Sequence, residues 1–159
     1  MGMIRRAAVV SIFAIASAAG TAWAQKDAAL GTWKLNVKKS SIKSMPTPRL
    51  ATVTFEQSGK GVKSVQDVVA ADGTKSSITY TAEYNGKDYP MAGSANADTV
   101  ALKYAGGNTV QRIDKKGGKI VTTWMRSISS DGKTMTATQK GTAADGKPVD
   151  NSWVFDRVN

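Results

Sequence analysis

Two arginines on neighbouring predicted strands carry the clearest capacity for chemistry in this sequence. Arg112 lies two residues before Asp114, and Arg126 lies two residues after Trp124. Because residues two apart in an extended strand point to the same side, each guanidinium shares a face with that neighbour. If these faces line an interior, each arginine could hold a carboxylate or phosphate bidentately. The pattern favours a site for an acidic head group.

Tyrosine and apolar side chains on the other predicted strands would complete such a binding surface. Tyrosine hydroxyls could add hydrogen bonds, while aliphatic residues and an indole could form an apolar wall. The tryptophans and phenylalanines are also candidates for ordinary core packing, which is their commonest role. The candidate ligand-binding residues are Arg112, Arg126, Tyr80, Tyr84, Tyr104, Leu102 and Trp124.

The orientation of the two arginines is open at this point. An unpartnered buried guanidinium costs several kcal/mol, and an acidic ligand would remove that cost. A neighbouring carboxylate such as Asp114 or Glu83 would do the same, and so would an outward orientation. Because a slip of one residue in strand register reverses every face, the sequence is compatible with all three arrangements.

The sequence contains no cysteine and no histidine, which removes several kinds of catalytic and metal centre. There can be no Ser-His-Asp triad, thiol nucleophile, imidazole base or histidine-ligated zinc. Carboxylates are then the main acid–base groups, and Asp72, Asp131 and Asp145 each precede a turn glycine. The other acidic residues show no spacing typical of a catalytic pair or a calcium loop. We therefore expect no enzymatic activity, catalytic residue, metal ion or cofactor.

Residues 1–24 show the three-part pattern of a secretory signal peptide. Arg5 and Arg6 form a basic start, residues 7–19 are apolar, and Ala22-Trp23-Ala24 offers small residues at the cleavage site. The alternative is an uncleaved membrane anchor, but the apolar stretch is shorter than the roughly 20 residues that span a bilayer. We predict a cleaved signal peptide (1–24), a single domain (25–159) and a periplasmic or secreted location in a bacterium.

The charge of the exported domain bears on its partners. The whole chain carries a net charge of +10, and the predicted signal peptide contains two arginines and no acidic residue. Export makes nucleic acid an unexpected partner despite this basicity, and an anionic envelope surface remains an option. The lysines are mostly spread over turns and outward strand positions, which is typical of a soluble surface, and we expect a monomer. Only Lys38, Lys39 and Lys43 cluster in the sequence.

Glycine-containing turns divide the exported chain into segments of alternating polarity. Asp72-Gly73 and Asp131-Gly132 are dipeptides that supply the positive φ angles of tight hairpins. A period of two with β-branched and aromatic residues predicts half-buried antiparallel strands, and no convincing helix is predicted. The predicted strands are 31–37, 50–58, 62–70, 74–84, 98–104, 108–114, 118–128, 132–141 and 149–157, with a short tenth strand near 88–91 as an option.

Hairpin-linked strands in this number can form either a two-sheet sandwich or a closed barrel. Sequential connections favour the barrel, because closure removes the exposed sheet edges. The predicted fold is therefore all-β, a single antiparallel up-and-down β-barrel of about eight to ten strands, which is filled or holds one small ligand. The segments 38–49 and 87–97 are the predicted long loops.

The segment Leu30 to Asn36, LGTWKLN, and the closing SWVFDRV resemble the calycin superfamily of lipocalins, fatty-acid-binding proteins and avidins. The resemblance implies a lipocalin-like barrel in which Trp33 closes one end and stacks on a basic side chain of the last strand. Arg157 is the candidate partner, and such a stack is worth about 0.5–2 kcal/mol. Gly31 would allow close backbone approach there. Longer segments resemble a group of small secreted bacterial proteins, a likeness that implies no activity.

These observations lead to two functional hypotheses of different kinds. The first is a non-catalytic barrel that binds a small apolar or amphiphilic ligand, including an anionic one, as a carrier, scavenger or sensor. The second is an interaction or inhibitor module that uses the barrel rim and the loops 38–49 and 87–97, with a lumen filled by side chains. A carboxylate-based hydrolase or isomerase ranks below both.

Overall fold

The computed structural model describes residues 27–143 and 145–158, and almost all of them lie in antiparallel strands or the turns between them. The predicted signal peptide lies outside the described residues. One 3-10 turn, Val37–Lys39, follows the first strand. No helix within the described ranges has the length and hydropathy needed to cross a bilayer. The strands are β1 (Gly31–Leu35), β2 (Ser41–Ile42), β3 (Leu50–Ser58), β4 (Gly61–Val69), β5 (Lys75–Glu83), β6 (Asn85–Ala92), β7 (Thr99–Gly106), β8 (Thr109–Lys116), β9 (Lys119–Ile128), β10 (Thr134–Thr142) and β11 (Pro148–Val158).

Ten of these strands close into one barrel. Each strand from β3 to β11 pairs with the next in chain order, and β1 lies between β11 and β3. The two-residue β2 pairs with the middle of β11 at Asn151↔Ile42. The predicted all-β, up-and-down barrel is therefore confirmed, and the two-sheet sandwich is excluded.

The prediction of a loop over 87–97 is wrong for its first half, which belongs to strand β6. Residues 85–92 form a strand along β7, and only 93–98 remain as the loop. The optional short strand near 88–91 is thus the centre of a longer one. Pro90 obscured it in the sequence, because proline cannot donate to a strand ladder. Its missing amide costs little here, since β5 and β6 pair only at Thr79↔Ala92 and Tyr80↔Met91.

The interior is packed unequally along the barrel axis. We call the end where β1 begins and β11 ends the lower end, and the opposite end the upper end. Lower inward side chains such as Trp33 and Val62 are fully buried. On β4, exposure rises from the buried Ser64 to the half-buried Gln66 and Val68 nearer the upper end. The lower half is therefore a packed core, and the upper half is partly accessible.

Candidate functional site

The lower end of the barrel is closed by Trp33 and Arg157. The guanidinium carbon of Arg157 lies 4.1 Å from the Trp33 ring centroid, and the two residues are partners in the β1–β11 register. The indole is fully buried and donates from Nε1 to the Ala29 carbonyl at 2.7 Å. A buried indole with a satisfied N–H and a cation over its face forms a solid floor.

Arg157 also ties residues 28–30, just before β1, to the barrel. Its Nη1 and Nη2 donate to the carbonyls of Leu30 and Ala28 at 2.7 and 2.8 Å, and its Nε donates to the carbonyl of Gly132 at 2.6 Å. A Cβ added at Gly31 would lie 2.9 Å from Nη1, in a backbone conformation with φ of 117°. Glycine at position 31 therefore leaves room for the guanidinium.

Above this floor, Arg126 is held by a carboxylate that the sequence patterns did not single out. Nη2 of Arg126 lies 2.5 Å from Oδ2 of Asp27, and both side chains are buried. The Tyr84 hydroxyl donates to the same oxygen. The Arg126 guanidinium also lies over the Phe55 ring, 4.4 Å from its centroid. Arg126 faces the lumen, but its charge is already neutralised by the chain itself.

Two tyrosines complete this lower polar cluster. Their rings, Tyr84 and Tyr104, stack with centroids 4.4 Å apart. Burial raises the pKa of the Tyr84 hydroxyl well above its usual value, and the hydrogen bond to Asp27 raises it further. Burial raises the pKa of Tyr104 as well. Both phenols therefore favour the neutral form at neutral pH, and Tyr84 acts as a hydrogen-bond donor to Asp27.

Arg112 crosses the lumen at mid-height. It extends from β8, and its guanidinium carbon lies 5.2 Å from the Tyr80 ring centroid on β5 and 5.3 Å from the Trp124 ring centroid on β9. Asp114 holds it bidentately, with 2.6 Å between Nε and Oδ1 and 3.0 Å between Nη2 and Oδ2. Since β6 and β7 separate β5 from β8 in the sheet, the contact with Tyr80 spans the interior.

The surroundings of Arg112 keep it charged and fixed. Burial alone would lower the pKa of Arg112, but the charge of Asp114 and the hydrogen bonds to it outweigh burial and raise the pKa above its ordinary value. Asp114 also accepts from Trp124 Nε1 at 2.9 Å and from Thr122 Oγ1 at 3.2 Å. This network therefore presents one aromatic ring and one paired guanidinium to the space above it.

We define the upper cup as the inner surface formed by five inward side chains that are each only half-buried: Gln66, Ile78, Arg112, Trp124 and Gln139. The amide oxygen of Gln139 accepts from Asn151 Nδ2 at 3.0 Å and from Trp153 Nε1 at 3.3 Å. The cup thus combines an indole and an aliphatic wall with amide groups. Such a surface suits a small molecule with both apolar and polar parts.

The predicted ligand-binding residues fall into three places rather than one. The first group, at the boundary of the upper cup, is Arg112, Tyr80 and Trp124. The second group, in the lower polar cluster, is Arg126, Tyr84 and Tyr104. Leu102 is 2% exposed on β7 and belongs to the core. Only the first group borders the upper cup, whereas Tyr84 and Leu102 line a separate concavity on the barrel wall. No buried side-chain nitrogen or oxygen among the described residues lacks a hydrogen-bond partner.

Other parts of the surface offer weaker candidates. One concavity of about 380 Å³ lies over β3–β5 beside Thr52 and Asp67, and another of about 400 Å³ lies beside Ala101 and Lys103. Their linings are mainly outward-facing strand residues, so neither opens from the lumen. Within residues 27–143 and 145–158, no three acidic side chains converge as metal ligands.

The closed ten-stranded meander with a tryptophan–arginine floor defines a calycin-like barrel. A similar solved structure is the zebrafish ileal bile acid-binding protein complexed with cholic acid, with a TM-score of 0.53 and 13% identity. The match covers 82% of this chain and 99% of the zebrafish chain. No protein-family model and no curated protein sequence matches the chain. At this identity, the likeness establishes the fold.

Proposed function

We propose that this barrel is a non-catalytic binding protein that takes a small apolar or amphiphilic molecule into the upper cup. The observation that carries the proposal is the change in exposure along the inner face. On β4, β5, β9 and β10 the inward side chains below the level of Arg112 are buried, whereas Trp124, Ile78 and the two glutamines at or above that level are partly accessible. The complex of the zebrafish protein with cholic acid, an amphiphile, supports this use of the fold.

The charge balance of the lumen limits the ligand. Arg112 is paired with Asp114, and Arg126 is paired with Asp27. An acidic head group is therefore not needed to compensate either guanidinium, in contrast to the simplest sequence hypothesis. A neutral or zwitterionic amphiphile fits better, since apolar contact contributes about 25 cal/mol per Å² buried and the glutamine amides can hydrogen-bond its polar part.

The test begins with native mass spectrometry of the protein purified from its own compartment, followed by organic extraction of any bound molecule. Fluorescence titrations with fatty acids, isoprenoids and lipid fragments then follow tryptophan emission. Trp124 lines the cup, Trp33 forms the distant floor, and Trp153 lies behind Trp124 with ring centroids 6.2 Å apart. Trp124→Phe should therefore remove most of the ligand-dependent change.

A variant that fills the cup provides the matched control. Ile78→Trp adds an indole inside the lumen and should weaken binding at least tenfold. Val65→Trp, on the adjacent strand β4, adds the same group to the outer face and should bind as the parent does. A ligand-free preparation with unchanged emission across all three ligand classes would contradict the proposal, as would full binding by the Ile78 variant.

A second function is favoured by one observation, the completeness of the polar network. Every buried side-chain nitrogen and oxygen in the described ranges is satisfied without a ligand, as expected of an interaction or inhibitor module with a filled barrel. If no small molecule is extracted and a partner protein co-purifies at stoichiometric yield, this second function is supported.

We further propose that the domain is exported to the periplasm or medium of a bacterium and is monomeric. The apolar stretch 7–19 and the small residues at the predicted cleavage site support export. N-terminal sequencing of the exported protein should begin at Gln25, and its sedimentation should correspond to a single copy. A retained, uncleaved chain would contradict the location.

A further inference from the structure

The upper end of the barrel combines exposed apolar side chains with a dense set of cations. Of the five exposed large hydrophobic residues among the described residues, four lie in the loops or strand ends of the upper end: Val37, Met45, Leu50 and Ile120, between 39% and 61% exposed. Exposed lysines accompany them on the same loops. We call this surface the upper rim, and its principal lysines are Lys38, Lys39, Lys43, Lys116, Lys119 and Lys140.

The topology brings these residues together although the sequence separates them. The connections β1–β3, β8–β9 and β10–β11 all lie at the upper end of an up-and-down barrel. In the sequence the rim lysines lie in separate short groups, with Lys38, Lys39 and Lys43 in one and Lys116 and Lys119 in another. Three acidic groups near this end have local partners: Asp145 pairs with Lys147 at 3.0 Å, Asp156 pairs with the rim lysine Lys39 at 3.4 Å, and Asp98 accepts from the Gly117 amide at 2.9 Å. The rim is therefore strongly basic.

The lower end differs in both charge and apolarity. Its turns and adjoining strand ends carry five lysines and three acidic residues, a smaller excess of positive charge than at the upper end: Lys60, Lys63, Lys87, Lys103, Lys133, Glu56, Glu83 and Asp131. Val158 is its one exposed large hydrophobic residue in the described ranges. A basic, apolar surface is thus confined to one end, whereas general solubility would not require such asymmetry.

We propose that the upper rim docks on the surface of a lipid bilayer that contains anionic phospholipids. Lysines near such a surface are attracted by its negative surface potential. The exposed aliphatic and thioether side chains between the lysines can enter the headgroup region of a bilayer. An acidic soluble protein would attract the lysines but has no such region for the apolar side chains to enter. The orientation would turn the mouth of the upper cup towards the lipid, but the docking itself does not depend on the proposed ligand.

Vesicle co-sedimentation of residues 25–159 tests the docking. This part of the chain contains the eleven strands found in the described residues, and it lacks the apolar residues 7–19, which would partition into lipid by themselves. Vesicles of phosphatidylcholine mixed with phosphatidylglycerol should bind the protein, and binding should fall as salt increases. Vesicles of phosphatidylcholine alone should bind much less. Failure to bind the mixed vesicles, or equal binding to both kinds, would overturn the proposal.

Two double variants that remove the same number of positive charges distinguish docking through the upper rim from a general attraction of the basic protein to anionic vesicles. Lys116→Gln with Lys119→Gln should weaken binding roughly ten- to thirtyfold. Lys60→Gln with Lys87→Gln, at the lower end, changes the net charge equally and should have little effect. If both pairs weaken binding to the same extent, the attraction is not localised and the proposal is wrong.

Substitution of two exposed apolar residues of the upper rim distinguishes docking on lipid from binding to an acidic protein. Met45→Ser with Ile120→Ser should weaken vesicle binding severalfold at constant charge, while Val158→Ser at the lower end should not. Circular dichroism and thermal unfolding confirm that each variant is folded before it is compared. Unchanged binding by the Met45 and Ile120 pair would overturn insertion into lipid and favour a purely electrostatic partner.

Discussion

Asp27 and Arg126 form an ion pair inside the barrel although 99 positions separate them in the sequence. The carboxylate precedes β1, and the guanidinium points inward from β9. Their side chains are 4% and 10% exposed, with 2.5 Å between Oδ2 and Nη2. The segment before β1 is therefore part of the interior, and it is held there from above by this pair and from below by Arg157.

Removal of the Asp27 charge should strongly destabilise the fold. Asp27→Asn leaves the buried Arg126 without an anionic partner, so the free energy of unfolding should fall by about 3–5 kcal/mol. Urea denaturation measures the change. Asp88→Asn is the control, because Asp88 is 42% exposed and pairs with Lys115 near the surface, where the expected loss is under about 1 kcal/mol.

A double variant checks that the loss arises from the pair. Asp27→Asn with Arg126→Met removes both charges, and it should be more stable than Asp27→Asn alone. If the double variant is less stable than the single one by the full cost of Arg126→Met, the two side chains are not coupled.

Alkaline pH should destabilise the barrel through Tyr84. Burial and the hydrogen bond to Asp27 raise its folded-state pKa above the ordinary value of 10.0. As pH rises past that value, the unfolded chain loses the tyrosine proton while the folded chain retains it, so unfolding becomes more favourable. The contribution is fully present below about pH 10 and is lost progressively above it.

Tyr84→Phe isolates this effect from the titration of other groups. The variant cannot ionise at position 84, so its stability should fall less steeply between about pH 9 and pH 11 than that of the parent. Urea midpoints measured at several pH values give the two slopes. Equal slopes would mean that Tyr84 ionises similarly in the folded and unfolded chains.

The strands were largely predictable from local pattern, whereas the polar interior was not. A period of two together with glycine turns marks most strands correctly, because each hairpin depends on residues that are close in sequence. The inward orientation of Arg112 depends on register, which a local pattern does not fix. The role of Asp27 has no local signal, since its partner is defined only when the barrel closes.

The floor formed by Trp33 and Arg157 was only partly predictable from the sequence. The contact between Trp33 and Arg157 was proposed from a resemblance, and the structure places the two residues together. No local pattern indicates that Arg157 also donates to the carbonyls of Ala28 and Leu30. The upper rim likewise could not be recognised from sequence, because its lysines and apolar residues converge from separate loops.

Substitutions at the two floor residues, Trp33 and Arg157, should lower the stability of the fold. Trp33→Ala removes a fully buried indole and should lower the free energy of unfolding by about 3–5 kcal/mol. Arg157→Lys keeps the charge but loses the planar fork that reaches three carbonyls, so a loss of roughly 1–3 kcal/mol is expected. Urea denaturation with circular dichroism detection gives both values.

Arg49 provides the control for the lysine substitution. Its Nε donates to the Ala71 carbonyl at 2.8 Å on an exposed loop, so Arg49→Lys should change stability by under about 0.5 kcal/mol. An Arg157→Lys variant as stable as the Arg49→Lys variant would show that the fork does not stabilise the floor.

Two glycines in the β3–β4 hairpin should respond differently to alanine. At Gly61 an added Cβ would lie 2.1 Å from the Ala82 carbonyl oxygen, so β4 and β5 would have to separate. At Gly59 a Cβ meets nothing within 4 Å, and the cost comes only from its φ of 55°. Gly59→Ala should therefore cost about 1–2 kcal/mol, and Gly61→Ala should cost more. Thermal unfolding ranks the two variants, and an equal or smaller loss for Gly61→Ala would show that β4 and β5 separate there without strain.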